Sequence, residues 1–343
     1  MRRAVAIAGG IAVSAAGGAL FAWIGTPLPW MIGAIFGMAA VQLSGLPWEV
    51  EPLPGARHVA FVVVGTSLGL YFTAPVVAQV ANQWPWFIAL GFAAIGFGLA
   101  SAWVLARLSG CDRTTAFFGS MPGGAAEMAM MGERYGAKPD RVALAHSMRV
   151  ILVVTLFPIG ITVAGFHATE DYRPVTIAFD WAGLAQLLAI AGTMGLIARR
   201  ARLPTPFMMG ALVTSIGLTV TGHTFSSVPA PFTNAAQVFM GCALGARFDR
   251  DFLSAAPAFL KGLVPSVALT LGLALLVGVG LSYGAGVYLG AGLLAAAPGG
   301  IAEMSITAKV LRINVAFVTA AHVLRYLIVV LLTVPIYRLF IRR

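Results

Sequence analysis

One seven-residue motif occurs twice in the chain, and this duplication constrains the fold more than any other feature. The motif reads Pro-Gly-Gly-Ala-Ala-Glu-Met from Pro122 and Pro-Gly-Gly-Ile-Ala-Glu-Met from Pro298, 176 residues later. Each copy is followed at the same distance by Ala-His-x-x-Arg. Helical solenoids and propellers recur more often and at shorter spacing. We therefore expect two membrane repeats, residues 1–172 and 173–343, as in transporters that bind substrate between two related halves.

The composition indicates that the chain folds within a lipid bilayer. Of the 343 residues, 59% are hydrophobic and 10% are charged, and 40 are glycine, which is frequent in membrane helices. We expect an all-α polytopic membrane protein. The two cysteines are not at equivalent positions, so neither a disulfide framework nor a metal site is expected.

Ten apolar stretches are candidates for membrane spans, since about 20 residues cross the roughly 30 Å of hydrocarbon. They lie near residues 4–24, 29–45, 58–73, 85–106, 141–167, 180–198, 205–222, 232–246, 262–283 and 314–337. Each half therefore has five spans.

A further piece lies between the fourth and fifth spans of each half, at residues 114–135 and 289–311. Pro-Gly-Gly interrupts each piece, and proline and glycine favour a non-helical break. We expect two arms of about 11 residues, each reaching about 16 Å or half a bilayer.

The positions of lysine and arginine favour a re-entrant hairpin over a further crossing. If each broken piece enters and returns, 17 of the 22 basic residues lie in the cytoplasm, and Arg173, Lys309 and Arg312 lie outside. If each piece crosses, 9 lie inside and 11 outside. The sequence thus predicts two inverted repeats, each of five transmembrane helices and one re-entrant helical hairpin with a Pro-Gly-Gly tip. Both termini are then cytoplasmic, and the net charge of +10 reflects topology rather than nucleic-acid binding.

In this topology the two hairpin tips and one arginine from each half converge near the membrane midplane. Unpaired N–H groups at the start of each second arm favour an anion, and the arginine offers a planar fork suited to carboxylate. Intramembrane ionisable side chains are costly and indicate function. The predicted substrate-binding residues form equivalent pairs: Gly123, Gly124, Glu127, His146 and Arg149 in the first half, and Gly299, Gly300, Glu303, His322 and Arg325 in the second.

Structural roles for these side chains stay open beside the functional ones. Glu127 with Arg149, and Glu303 with Arg325, are also candidates for buried ion pairs that fix hairpin to helix. The two histidines could carry a proton or serve helix packing alone.

At the twin Pro-Gly-Gly-x-Ala-Glu-Met and Ala-His-x-x-Arg motifs, the chain resembles the AbrB-type duplicated bacterial membrane protein family. Members of that family are labelled as ammonia monooxygenases or as AbrB family transcriptional regulators, and the resemblance implies a multi-pass protein of the bacterial inner membrane. By architecture alone, the hairpins also resemble those of elevator-type carriers of organic anions.

Neither family label fits the residues well. The five histidines are scattered without a metal-ligand pattern, and no polar segment is long enough for a soluble DNA-binding module. No phosphate-binding Gly-Lys-Ser/Thr motif is present either. We therefore expect neither an enzyme nor a cofactor.

The function that fits best is secondary transport of a small organic anion through a site at the membrane midplane between the two hairpins. The coupling ion, H⁺ or Na⁺, and a homodimeric state stay open. A membrane-embedded sensor that regulates gene expression without transport is the alternative, and a channel is third.

Overall fold

The structure is a computed structural model that describes residues 2–44, 50–166, 177–248 and 257–341. The predicted repeat boundary at residue 172 and the predicted position of Arg173 lie outside the described residues.

The described residues form fifteen α-helices. In chain order these are α1 (Arg2–Ile24), α2 (Pro29–Ser44), α3 (Ala56–Gly69), α4 (Ala74–Ala81), α5 (Trp84–Ser109), α6 (Arg113–Ser120), α7 (Ala125–Glu133), α8 (Pro139–Val163), α9 (Trp181–Arg200), α10 (Pro206–Val220), α11 (Ala230–Gly245), α12 (Pro257–Ala285), α13 (Leu289–Ala296), α14 (Ile301–Leu311) and α15 (Val315–Phe340).

The same succession of helices occurs in both halves, with the spacing of the sequence motifs. The first arm of the broken piece begins at Arg113 in one half and at Leu289 in the other, 176 residues apart. The second arms, α7 and α14, and the long helices that follow them, α8 and α15, begin at the same offset. Local sequence therefore sets the helix breaks in each copy. The inverted sense of the second half stays a prediction.

Each of the ten predicted spans corresponds to a helix, but the lengths differ. Six helices (α1, α5, α8, α9, α12 and α15) are long and apolar enough to cross a membrane. The other four (α2, α3, α10 and α11) have 14 to 16 residues, or about 21–24 Å at 1.5 Å per residue, less than the hydrocarbon thickness. An all-α multi-pass membrane protein is thus confirmed, whereas ten crossings stay a prediction.

Two compact units divide the chain, and each draws on both halves. The first comprises residues 1–79, 169–252 and 309–316. It contains α1 to α3 and α9 to α11, whose axes approach closely at glycines: a Cβ added at Gly33 would overlap the Gly17 backbone, and one at Gly241 would lie 2.6 Å from the Met31 carbonyl. Small residues at helix crossings are typical of membrane packing.

The second unit comprises residues 80–168, 253–308 and 317–343, and it contains both broken pieces. Its helices are α5 to α8, α12, α13, most of α14, and α15. Phe117 and Phe118 of α6 are fully buried beside Met128 of α7 and Tyr337 of α15. The aromatic core therefore holds the first arm of the first broken piece to the last helix of the chain.

Candidate functional site at the Pro-Gly-Gly tips

Local sequence positions the two tips. The Asp112 carboxylate caps α6 by accepting a hydrogen bond from the Thr115 N–H at 2.7 Å. The helix ends at Ser120, because Pro122 lacks an N–H group and cannot continue it. Gly124 is then the extended N-cap of α7. The second broken piece repeats this pattern, with α13 ending at Ala296 and α14 beginning at Ile301.

A buried arginine from the following long helix binds each tip. Nη1 of Arg149 donates to the carbonyls of Ser120 and Met121, both at 3.2 Å. In the second half, Arg325 donates to the equivalent carbonyl of Ala297 and, through Nη2, to that of Gly299 at 2.7 Å.

The carbonyls at the end of a helix lack intrahelical partners, and a cation there is favourable. Arg149 and Arg325 are only 4% and 2% exposed. Each guanidinium therefore satisfies the backbone that the Pro-Gly-Gly break leaves unpaired in the interior.

The histidines bind the same first arms, one turn earlier. The Nε2–H groups of His146 and His322 donate to the carbonyls of Phe118 and Leu294, each at 2.9 Å. In the first half, Nδ1 of His146 accepts from Arg149 at 2.9 Å. Nδ1 of His322 is buried without a partner. The two rings thus help to fix the first arms of the broken pieces, and only that of His146 bonds to its arginine.

The glutamates lie over the start of the second arms. Oε2 of Glu127 occupies the space that a Cβ on Gly124 would fill, and Oε2 of Glu303 does the same at Gly300. Each carboxylate therefore folds back across the N-cap of its own helix, where the dipole favours negative charge. Glu303 is 5% exposed, whereas Glu127 is partly exposed.

The sequence allows ion pairs between these glutamates and arginines, but no such pair forms among the described residues. In that part of the chain, Arg3 and Glu51 make an ion pair at 3.4 Å. The physical reason is competition for donors: the tip carbonyls take both Nη groups of Arg325, and the tip and His146 take those of Arg149. Nε of each arginine stays buried without a partner.

The tip glycines are non-helical, as expected of the break, but they do not adopt left-handed backbone angles. None of Gly123, Gly124, Gly299 and Gly300 is among the described glycines with positive φ, and Gly124 has φ −71° and ψ 139°. The N–H of Gly123 is also bonded, to the Met121 carbonyl at 2.8 Å, and is not a free donor. Glycine is required here for space, because the glutamate carboxylate or a methionine occupies the position of a side chain.

Each tip also meets the long helix of the other half. A Cβ on Gly124 would lie 2.9 Å from the Tyr326 hydroxyl of α15, and one on Gly299 would lie 3.0 Å from Val153 of α8. The structure therefore brings all ten predicted residues into one unit. Comparing the two halves does not single out Tyr326, because the equivalent residue in the first half is Val150.

The fold and these tips define a duplicated, all-α multi-pass membrane protein with two arginine-bound helix breaks. The family model described as "Transition state regulatory protein AbrB" matches residues 30–341, so the chain belongs to the AbrB family. It is 30% identical to "Uncharacterized protein YhjN" of Bacillus subtilis (strain 168) over 352 positions, covering 96% of this chain and 91% of that protein. It is 26% identical to "Putative regulator AbrB" of Escherichia coli (strain K12) over 325 positions, covering 91% and 88%.

Proposed function

We propose that the protein is a secondary transporter of a small organic anion that binds at the two hairpin tips. The observation that supports this most is the pair of equivalent helix breaks bound by buried arginines. Non-helical backbone at membrane depth is stable only inside protein or along a cavity. Discontinuous helices whose ends face a midplane site are the usual way in which carriers bind charged substrates.

The charges at the tips favour an anionic substrate. Two helices, α7 and α14, begin at the tips, and the first N–H groups of a helix have no intrahelical partner. Arg149 and Arg325 add positive charge, yet their Nη groups bind carbonyls. We therefore propose that the arginines contribute their field and shape the tip, while the helix starts contact the anion.

A sensor that binds the same anion without moving it is the second candidate. The family description and the name of the Escherichia coli relative both refer to regulation. A sensor needs a ligand site but no alternating access, so the two functions differ in flux rather than in affinity.

We expect counterflow to separate these functions. Small mono- and dicarboxylates are first screened by thermal shift on the purified protein, because a bound ligand raises the melting temperature by mass action. Proteoliposomes are then loaded with each unlabelled hit and given the labelled compound outside. A carrier accelerates exchange of the label over empty liposomes. A rise in melting temperature without exchange would identify a sensor, and net flux without counterflow would identify a channel.

Cysteine labelling tests the inverted topology. We expect cysteines at positions 138 and 200 to react from the cytoplasm and one at position 312 to react from outside, because only inversion gives the 17 to 3 split of basic residues. Lys309 is a poor reporter of the outer face, since its ammonium donates to the Ser67 hydroxyl.

The native thiols interfere little with this experiment. Cys111 and Cys242 are buried, and burial raises the pKa of the Cys111 thiol, which lowers its reactivity. Both can be replaced by alanine for the background variant. Labelling of positions 138 and 312 from the same side would exclude inverted repeats.

A further inference from the structure

We propose that Glu127 and Glu303 are the proton-binding groups of this protein, and that one proton enters the hairpin site with each monovalent anion. This inference rests on the proposed transport function and names its coupling ion. It follows from the position of the two carboxylates, from the partners of the arginines, and from the balance of charge at the two tips.

Glu303 is a buried carboxylate that forms no ion pair among the described residues. Its side chain is 5% exposed, and its carboxylate lies across the start of its own helix. A buried carboxylate without an ion pair is costly. Binding of H⁺ removes its charge.

Glu127 occupies the equivalent position in the first hairpin and has a further neighbour. The Tyr326 hydroxyl lies close to the Glu127 carboxylate beside Gly124, and the Tyr326 side chain is buried. A protonated carboxyl has both a donor and an acceptor, so it can pair with a hydroxyl in either direction. The Tyr326 hydroxyl can therefore form a hydrogen bond with Glu127 in either protonation state of the carboxyl group.

The other ionisable groups around the tips are less suited to take up a proton. On α8 these are His146 and Arg149, and on α15 they are His322, Arg325 and Tyr326. The arginines keep their charge, and each histidine lies three residues from one, which disfavours a second positive charge. Arg107 lies near the end of α5, and Lys261 lies near the start of α12.

Charge balance then links the proton to the anion. With both glutamates ionised, the two arginines and two glutamates sum to zero. Adding a monovalent anion leaves one negative charge in a medium that penalises it. A proton on one carboxylate restores neutrality: an O–H bond forms at Oε as the anion binds, and it breaks when the anion leaves.

A proton needs a single carboxylate oxygen, whereas a metal cation needs several oxygen ligands. Sodium is therefore the alternative coupling ion that the experiment below must exclude.

Infrared difference spectroscopy on the purified protein in lipid nanodiscs tests this inference, with H⁺ as the probe. On acidification we expect a carboxylic C=O band at the high frequency typical of buried acids, shifted in D₂O. Glu127→Gln and Glu303→Gln should each remove part of this band, and the double variant should remove all of it. Glu133→Gln is the matched control, because Glu133 is the exposed last residue of α7 and should keep the whole band.

Melting temperatures show that each variant is folded, and if one single variant fails to fold the other still tests the proposal. An unchanged band in the folded variants would overturn it. A sodium site would also overturn it. The sign of such a site would be a higher melting temperature of the wild type in NaCl than in KCl at the same pH, with no such difference in the variants. Loss of the band together with failure of counterflow would leave proton binding intact and reject transport, so the two proposals fail separately.

Discussion

Replacing Arg325 with methionine should lower the free energy of unfolding by about 3–5 kcal/mol, because the buried carbonyls of Ala297 and Gly299 lose their donor. Methionine fills similar space without a hydrogen-bond donor. Each buried carbonyl that is left unpaired costs about 1–3 kcal/mol. The loss appears as a lower melting temperature of the purified protein in detergent or nanodiscs.

Arg338→Met is the matched control, since Arg338 lies exposed near the end of the same helix. We expect it to change stability by less than about 0.5 kcal/mol. Arg325→Lys should fall between the two, because an ammonium keeps the charge but cannot reproduce the planar fork that reaches both carbonyls. Equal melting temperatures for Arg325→Met and Arg338→Met would show that the arginine does not support the tip. If Arg325→Lys weakened only ligand affinity, the guanidinium would be a direct substrate ligand instead.

Gly124→Val and Gly300→Val should each abolish anion binding and exchange while leaving the protein folded. The added side chain would take the space of the Glu127 or Glu303 carboxylate. That carboxylate is the end of a flexible side chain and can move aside, so the fold survives. The start of the second arm is then covered by an apolar group, and the charges around the helix start are displaced from their binding geometry.

Gly160→Val is the matched control for both tip variants. Gly160 lies on α8, and a Cβ built there meets no atom within 4 Å, so thermal shift and counterflow should remain close to wild type. Loss of folded protein in the tip variants would mean that these glycines serve packing alone. Full activity in Gly124→Val or Gly300→Val would exclude the tips as the substrate site.

The sequence alone determined the features that depend on local chemistry and on solvent. The scarcity of charges predicts a membrane protein, and Pro122 and Pro298 fix the positions where helices must break, whatever packs around them. These breaks occur in the structure at the predicted positions. Span lengths were predicted less well: α3 ends at Gly69 and bends by 92° into α4, although the apolar run continues past the bend.

The group that each arginine binds depends on the packing of the folded chain. In sequence, Glu127 and the carbonyls of Ser120 and Met121 are all plausible partners of Arg149, at separations of 22 to 29 residues. In the folded chain, the end of the first arm lies at the guanidinium, and the carboxylate turns back over the start of its own helix. The approach of Tyr326 to the tip of the other half likewise depends on how α15 packs. Local sequence sets where a helix ends, but the partner of a buried donor depends on which unpaired acceptor the packing places within hydrogen-bond reach.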